Sequence, residues 1–256
     1  MARIHVLKFG SSVLRSEADL PAVATEMLRW RMTGAPVIAV VSAFAGETDR
    51  RIFEANEKGL EAESPARAGL IAAGEFASAD ALARELEGRS ETARALSPAE
   101  IRLRAAGNRM DAAPLSLDRR FLEATLEECP LLIIPGYSGI DQLDEPVLLG
   151  RGGSDLSALF IASELGAPEC HLIKDVDGLY DKDPNHHADA QRYETVSTLT
   201  AYKVGGVLVQ PKAISFADTR TLTIHVTAMG AHAGTRIYAN APDRFHLGRE
   251  LNREAG

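Results

Sequence analysis

Apolar runs about five residues long recur along the chain, rich in β-branched residues, at Ile4–Phe9, Val37–Ser42, Leu131–Pro135, Glu169–Lys174 and Thr223–Thr227. Runs of this length and composition mark strands. Between several of them the apolar spacing becomes helical. Leu20, Val23, Met27 and Trp30 form one stripe of a helix over Asp19–Met32, which Thr33, Gly34 and Pro36 bring to an end. Asp155–Leu165 repeats the device, with Leu156, Leu159, Phe160 and Ile161 as the stripe and Gly166 as the stop. Strand, helix and strand in succession imply a largely parallel sheet covered by helices. The middle, Ala66–Gly107, is rich in Ala, Glu and Arg and reads as helices, the Arg and Glu alternation around Arg84–Arg104 being their solvated face.

Composition narrows the function classes. At 45% hydrophobic and 25% charged residues over 256 positions, the chain has the balance of a globular α/β protein. A formal charge of -8 without a long basic tract disfavours nucleic acid, whose backbone is bound by clustered Lys and Arg. The only cysteines, Cys129 and Cys170, adjoin apolar stretches and read as core-packing thiols of a reducing compartment. The N-terminus is already strand-like, and no apolar run suits a signal peptide or a membrane span, so a cytoplasmic location is expected. There is no internal repeat and no low-complexity linker.

Three stretches carry chemistry. In Lys8-Phe9-Gly10-Ser11-Ser12 a strand delivers a lysine into a turn of small residues, which lets backbone N–H groups approach a phosphate. In Leu149-Gly150-Arg151-Gly152-Gly153-Ser154-Asp155, glycines flank an arginine at a helix start. Amides there suit an anion, and the guanidinium fork suits a carboxylate or phosphate. In Lys174-Asp175-Val176-Asp177-Gly178-Leu179-Tyr180, followed by Asp183-Pro184, acidic residues lie past a strand's carboxyl end, where open α/β sheets bind ligands. His186-His187 with Asp189 reads as solvated loop, Trp30 as a helix-packing residue, and no metal-ligating motif is expected.

Taken in order, these stretches resemble the amino acid kinase family, and most closely the catalytic domain of aspartokinases. Val40-Val41-Ser42-Ala43 with Thr48-Asp49, Ala73-Gly74-Glu75 and Ile134-Pro135-Gly136-Tyr137-Ser138-Gly139 extend the likeness. So do Gly205–Ile214 and Gly234-Thr235-Arg236-Ile237, giving coverage from residue 3 to 239. The resemblance implies a three-layer αβα sandwich around a mostly parallel sheet of about eight strands, the amino acid/carbamate kinase-like fold. It further implies an acceptor-binding lobe over residues 1–148, a nucleotide-binding lobe over 149–239 and a polar tail, 240–256.

By the same likeness, Lys8 and Asp155 are catalytic and Ser42, Thr48, Glu75 and Arg151 hold the amino acid. Gly10, Ser11, Ser12, Gly152, Gly153, Ser154, Lys174, Asp175, Tyr180 and Asp183 serve the phosphates and nucleotide. The expected activity is ATP-dependent phosphorylation of the side-chain carboxylate of L-aspartate, with Mg²⁺. A kinase for another amino acid or specialised metabolite, and a weakly active nucleotide- or amino-acid-binding regulatory subunit, are the alternatives. The family likeness also suggests a homodimer or a partner regulatory or pathway enzyme.

The chemistry agrees with the inventory. A carboxylate with a pKa near 4 is ionised at neutral pH, so transfer to it requires no general base. What the enzyme must supply is neutralisation and alignment of two anions. Departures from the family pattern fall mainly on the nucleotide side: Lys174 where Thr or Ser is usual, Asn185 where Arg follows Asp-Pro, Val207 where Lys often stands. Ser11 also replaces a commoner glycine in the first turn. Lys174, Lys203 or Lys212 are the candidates to restore the lost charge. The paired amino-acid-sensing domains usual after an aspartokinase catalytic domain have no counterpart in residues 240–256, so insensitivity to lysine and threonine is expected.

Overall fold

The structure, a computed structural model, describes residues 4–184, 186–204, 208–231 and 233–246. Its elements in chain order are β1 (His5–Phe9), α1 (Leu20–Arg31), β2 (Val37–Val41), α2 (Glu47–Glu57), α3 (Pro65–Gly88), β3 (Ala93–Ala95), β4 (Arg104–Asn108) and β5 (Asp111–Ser116). Then follow α4 (Arg119–Glu128), β6 (Leu131–Pro135), β7 (Ser138–Ile140), β8 (Pro146–Leu148), α5 (Gly153–Leu165), β9 (Glu169–Lys174) and β10 (Tyr193–Ser197). The chain continues through α6 (Thr198–Val204), α7 (Pro211–Arg220), β11 (Thr223–Ala228), β12 (Thr235–Tyr238) and β13 (Arg244–Phe245).

The five apolar runs all become strands of one nine-stranded sheet, ordered β13-β10-β12-β11-β9-β1-β2-β6-β3. Six of its eight pairings are parallel, and only β11–β12 and β10–β13 are antiparallel. Because side chains alternate along a strand, each buried strand feeds two cores. On one face Val6, Ile38, Leu132 and Leu172 pack with Leu159, Phe160 and Ile161 of α5. On the other, Leu7, Ala39, Ile133 and Ile173 pack with Val23 and Met27 of α1 and Leu82 and Leu86 of α3. The result is the expected mostly parallel αβα sandwich. Cys129 and Cys170 are free and buried within it.

Helix limits follow local chemistry. Ser64 caps α3 by accepting from Arg67 N at 3.2 Å, with Pro65 at the first helical position. Gly166 ends α5 with φ of 67°.

The middle of the chain corrects the sequence-based expectation. Helix α3 stops at Gly88, and Ala93–Ala95 and Arg104–Asn108 are strands, so Arg94 and Arg104 do not lie on a solvated helical face. Strand β4 belongs to a second, four-stranded sheet, ordered β5-β4-β7-β8. The hairpin β4–β5 forms because the Asn108 side chain accepts from Met110 N at 2.8 Å, an Asx turn that competes with helix. Ala105 and Ala112 then pack on Val147 and Leu149, a close approach that only small residues permit. Alanine was read for its helix propensity, but tertiary packing decides at these positions. Within the polar tail, Arg244–Phe245 pairs with β10, and residues 247–256 lie outside the described residues. Among the described residues, no helix is long and apolar enough to cross a membrane.

Phe160 is fully buried on α5, its ring centroid 6.0 Å from that of Phe216. Phe160→Ala is expected to lower unfolding free energy by about 3–5 kcal/mol through the cavity it leaves. Urea denaturation should show this as a lower midpoint with an unchanged slope.

Candidate active site

Strands β1 and β9 run parallel and adjacent, with Lys8 in register with Leu172. Lys8 and Lys174 therefore leave neighbouring strands on one face, at the carboxyl edge where open α/β sheets place their ligands. Facing them is the first turn of α5, which carries Asp155. Lys8 Nζ lies 2.7 Å from Asp155 Oδ1, and Lys174 Nζ donates to Asp155 Oδ2 at 3.2 Å. All three side chains are buried.

Two ammonium groups around one carboxylate leave a net positive charge in a poorly solvated place. Burial alone would push the Asp155 carboxyl up, but Lys8 and Lys174 together hold it below its ordinary value. Burial, reinforced by the neighbouring Lys8, depresses the Lys174 ammonium, against which Asp155 acts. Lys174 thus depends on the aspartate to offset the field of Lys8. An anion arriving here would meet excess positive charge without reorganisation.

Around this group opens a cleft of about 550 Å³. Of the residues expected from sequence, Lys8, Ser11, Ser42, Thr48, Glu75, Arg151, Gly152, Gly153, Ser154, Asp155 and Lys174 line it together. Gly152 adopts φ of 75°, and a Cβ there would stand 2.5 Å from Gln210 Cβ, so glycine alone suits the helix start. Gly153 and Ser154 then turn the N-terminal end of α5, with its positive helix dipole, into the cleft.

Five expected residues are not among the lining ones. Gly10 lies beneath the Lys8 ammonium, Ser12 is exposed past the turn, and Asp175 is exposed beyond β9. Tyr180 donates its hydroxyl to Asp177 Oδ1 at 2.7 Å, and Asp183 lies 3.6 Å from His186 Nε2 in an exposed loop. Asp189 pairs with Lys182 at 2.6 Å rather than with the histidines. Asn185 and Val207 lie outside the described residues. Of the three lysines considered as replacement charges, only Lys174 lines the cleft; Lys212 is held by Asp111 at 2.6 Å and by Leu149 O at 2.8 Å, and Lys203 is exposed on α6.

Eight further residues line the cleft without an expected role, Tyr137 and Gln210 among them. Tyr137 takes φ of 66° and donates its backbone N–H to Ser157 Oγ at 3.1 Å, presenting its ring to the cleft beside Gly153. Its signal was the Pro-Gly-Tyr-Ser turn, recognised for family likeness only. Gln210 caps the start of α7 across from Gly152, and nothing in its local sequence marks it.

Glu75, on the buried face of α3, differs from Asp155. One of its carboxylate oxygens is buried without a hydrogen-bond partner. Burial pushes its pKa up to about 7, only partly offset by backbone N–H groups and by Arg51 and Lys8. An acid with a raised folded pKa contributes stability that is full below its unfolded pKa, 4.5, and is lost as pH rises through about 7. Glu75→Gln should therefore flatten the fall in stability across that window, a difference of roughly 3 kcal/mol. Urea denaturation at about pH 5 and about pH 8 measures it.

An open α/β sheet whose carboxyl edge gathers paired lysines, an aspartate and a glycine-rich helix start defines an anion-binding, phosphate-handling class of protein. The chain belongs to the amino acid kinase family, whose model matches residues 3–228. It is 34% identical over 197 residues to an aspartokinase of Helicobacter pylori, covering 75% of this chain and 47% of the relative. It is 28% identical over 224 residues to the aspartate kinase Ask_LysC of Stutzerimonas stutzeri, covering 86% and 54%. The chain thus spans about half the length of the curated relatives it matches. Among solved structures, aspartate kinase from Synechocystis superposes with a TM-score of 0.78 at 25% identity, over 96% of this chain and 42% of that one. UMP kinase from Bacillus anthracis shares the fold, with a TM-score of 0.69 at 17% identity, over 96% and 99%.

Proposed function

We propose that this chain transfers the γ-phosphoryl group of ATP to the side-chain carboxylate of a free amino-acid dicarboxylate, L-aspartate, as aspartokinases do. The observation that carries the reading is the buried Lys8–Asp155–Lys174 group, set between Glu75 and the glycine-rich start of α5. The likeness to aspartokinases over most of the chain supports the choice of acceptor class.

The acceptor carboxylate is its own nucleophile, so the site's task is electrostatic. Lys8 and Lys174 bind the transferring phosphoryl oxygens and offset the repulsion between acceptor and nucleotide anions. Asp155 holds both ammonium groups in position. Glu75, its pKa raised and one carboxyl oxygen unpartnered, receives the acceptor's ammonium and loses its proton in doing so. Arg151, exposed at the cleft rim, takes an acceptor carboxylate. Each Asp155 oxygen has a lysine ammonium within 3.2 Å. Mg²⁺ would enter with ATP, as part of the substrate complex.

The deciding experiment is ADP release coupled to a detector over a panel of amino acids. Turnover with aspartate, and little with glutamate or N-acylated amino acids, is expected; no turnover with any of them overturns the reading. Within it, Lys8→Ala and Lys174→Thr should each lower kcat at least roughly a hundredfold, with both variants still folded by circular dichroism. Unchanged turnover in either removes that lysine from the transfer step.

Arg151 should behave differently, since it lies at the rim and meets only the acceptor. Arg151→Ala is expected to raise the acceptor KM steeply while ATP binding, measured by calorimetry, stays nearly constant. Equal loss of both affinities would place Arg151 with the phosphates.

A further inference from the structure

On the face of the sheet opposite Lys8 and Lys174, three metal-ligating side chains from two neighbouring strands converge. Glu169 and His171 stand two residues apart on β9 and so share a face. His225 on β11 is in direct register with His171, and registered residues on adjacent strands point the same way. One donor atom from each lies within 4.8 Å of the other two, and among the described residues they are the sole group of this kind.

The details suit an ion. His171 Nδ1 and His225 Nδ1 are 3.1 Å apart, close to the separation of about 3.3 Å that two nitrogens take on tetrahedral zinc. Glu169 Oε1 lies 3.7 Å from His171 Nε2, on a side chain partly open to solvent. Its other oxygen is fixed by Arg236 Nε at 3.1 Å, the outer partner that orients a ligating carboxylate. Trp30 covers the group, its ring centroid 4.2 Å from that of His171.

We propose that Glu169, His171 and His225 form a binding site for a borderline divalent transition metal, Zn²⁺ in the first instance, that joins β9 to β11. Two imidazoles and one carboxylate select such an ion over Mg²⁺, which demands oxygen ligands. Three protein donors leave a tetrahedral ion one further position. The site is separate from the cleft: His171 precedes Lys174 by three residues, about 10 Å along the strand, and faces the other core. Its role is to tie the two strands at the end of the sheet remote from the ligand, and it takes no part in phosphoryl transfer.

The test uses the full chain, stripped with a chelator and titrated with Co²⁺ as a visible probe, then with Zn²⁺. One equivalent of Co²⁺ should produce the intense visible absorption of a four- or five-coordinate ion, and Zn²⁺ should displace it and raise Tm. Glu169→Gln, on a partly exposed side chain and expected to fold, should weaken Co²⁺ binding at least roughly tenfold, and His225→Gln should abolish the absorption. Absence of the absorption in the unaltered chain overturns the proposal. So does absorption that survives both substitutions, or that disappears instead in the His186→Asn/His187→Asn double variant, which would put the ion in the exposed loop.

Discussion

Asp155 is the residue on which the cleft's architecture turns. A carboxylate buried at a helix start is costly unless paired, and here two lysines from adjacent strands pair it. Removing Asp155 would leave two buried ammonium groups repelling each other, whereas removing either lysine leaves a neutral pair. The ion group therefore fixes the separation of β1, β9 and α5 at the edge where they meet. Under the proposed function, the geometry that steadies the fold would also receive the phosphoryl group. The excess positive charge is tolerable because the cleft is open, and a bound anion would remove the remaining imbalance.

The parallel sheet makes that arrangement possible. In register, β1 and β9 send Lys8 and Lys174 to one face and their odd-numbered neighbours to the other. The same alternation places His171 and His225 beneath α1, away from the cleft. One strand, β9, thus faces two environments, its even positions ending at the Lys8–Asp155–Lys174 group and its odd positions turned toward Trp30. This division explains how a charged cleft and a nitrogen-rich cluster coexist within six residues of chain without sharing a single side chain.

Much of the sheet was legible because its central strands are short, apolar and bounded by turn residues. Leu131–Pro135 and Glu169–Lys174 are observed with the limits read from sequence, and the helix of Asp155–Leu165 gains only Gly153 and Ser154. The second sheet was not legible. Its strands are short, carry Arg and Asn, and pack through alanines, so their local signal is helical until the hairpin at Asn108–Asp111 is seen. In the site, the glycine-rich start of α5 was readable because glycines at a helix start are costly without a reason. The Glu169–His171–His225 cluster was not, since only the register of β9 with β11 brings residues 54 positions apart together. Tyr180 and Asp183 were assigned to the nucleotide by their motif, and their observed partners are Asp177 and His186.

Lys174 shows why a site of this kind is better described by charge in space than by letters at aligned positions. Read along the chain, it replaces a hydroxyl residue, and the positions at which family members usually carry Arg and Lys hold Asn185 and Val207. Counted that way, one cation is gained where none is expected and two are lost where they are. In space, the gained cation reaches the carboxylate that already holds Lys8, and it does so from the adjacent strand. Phosphoryl transfer depends on the field at the reacting atoms, and a few ångströms of side chain can supply that field from more than one backbone position. The constraint on sequence is then a joint one. Asp155 must remain an acid as long as two lysines face it, and Lys174 can remain a buried lysine only as long as Asp155 is there to hold its proton.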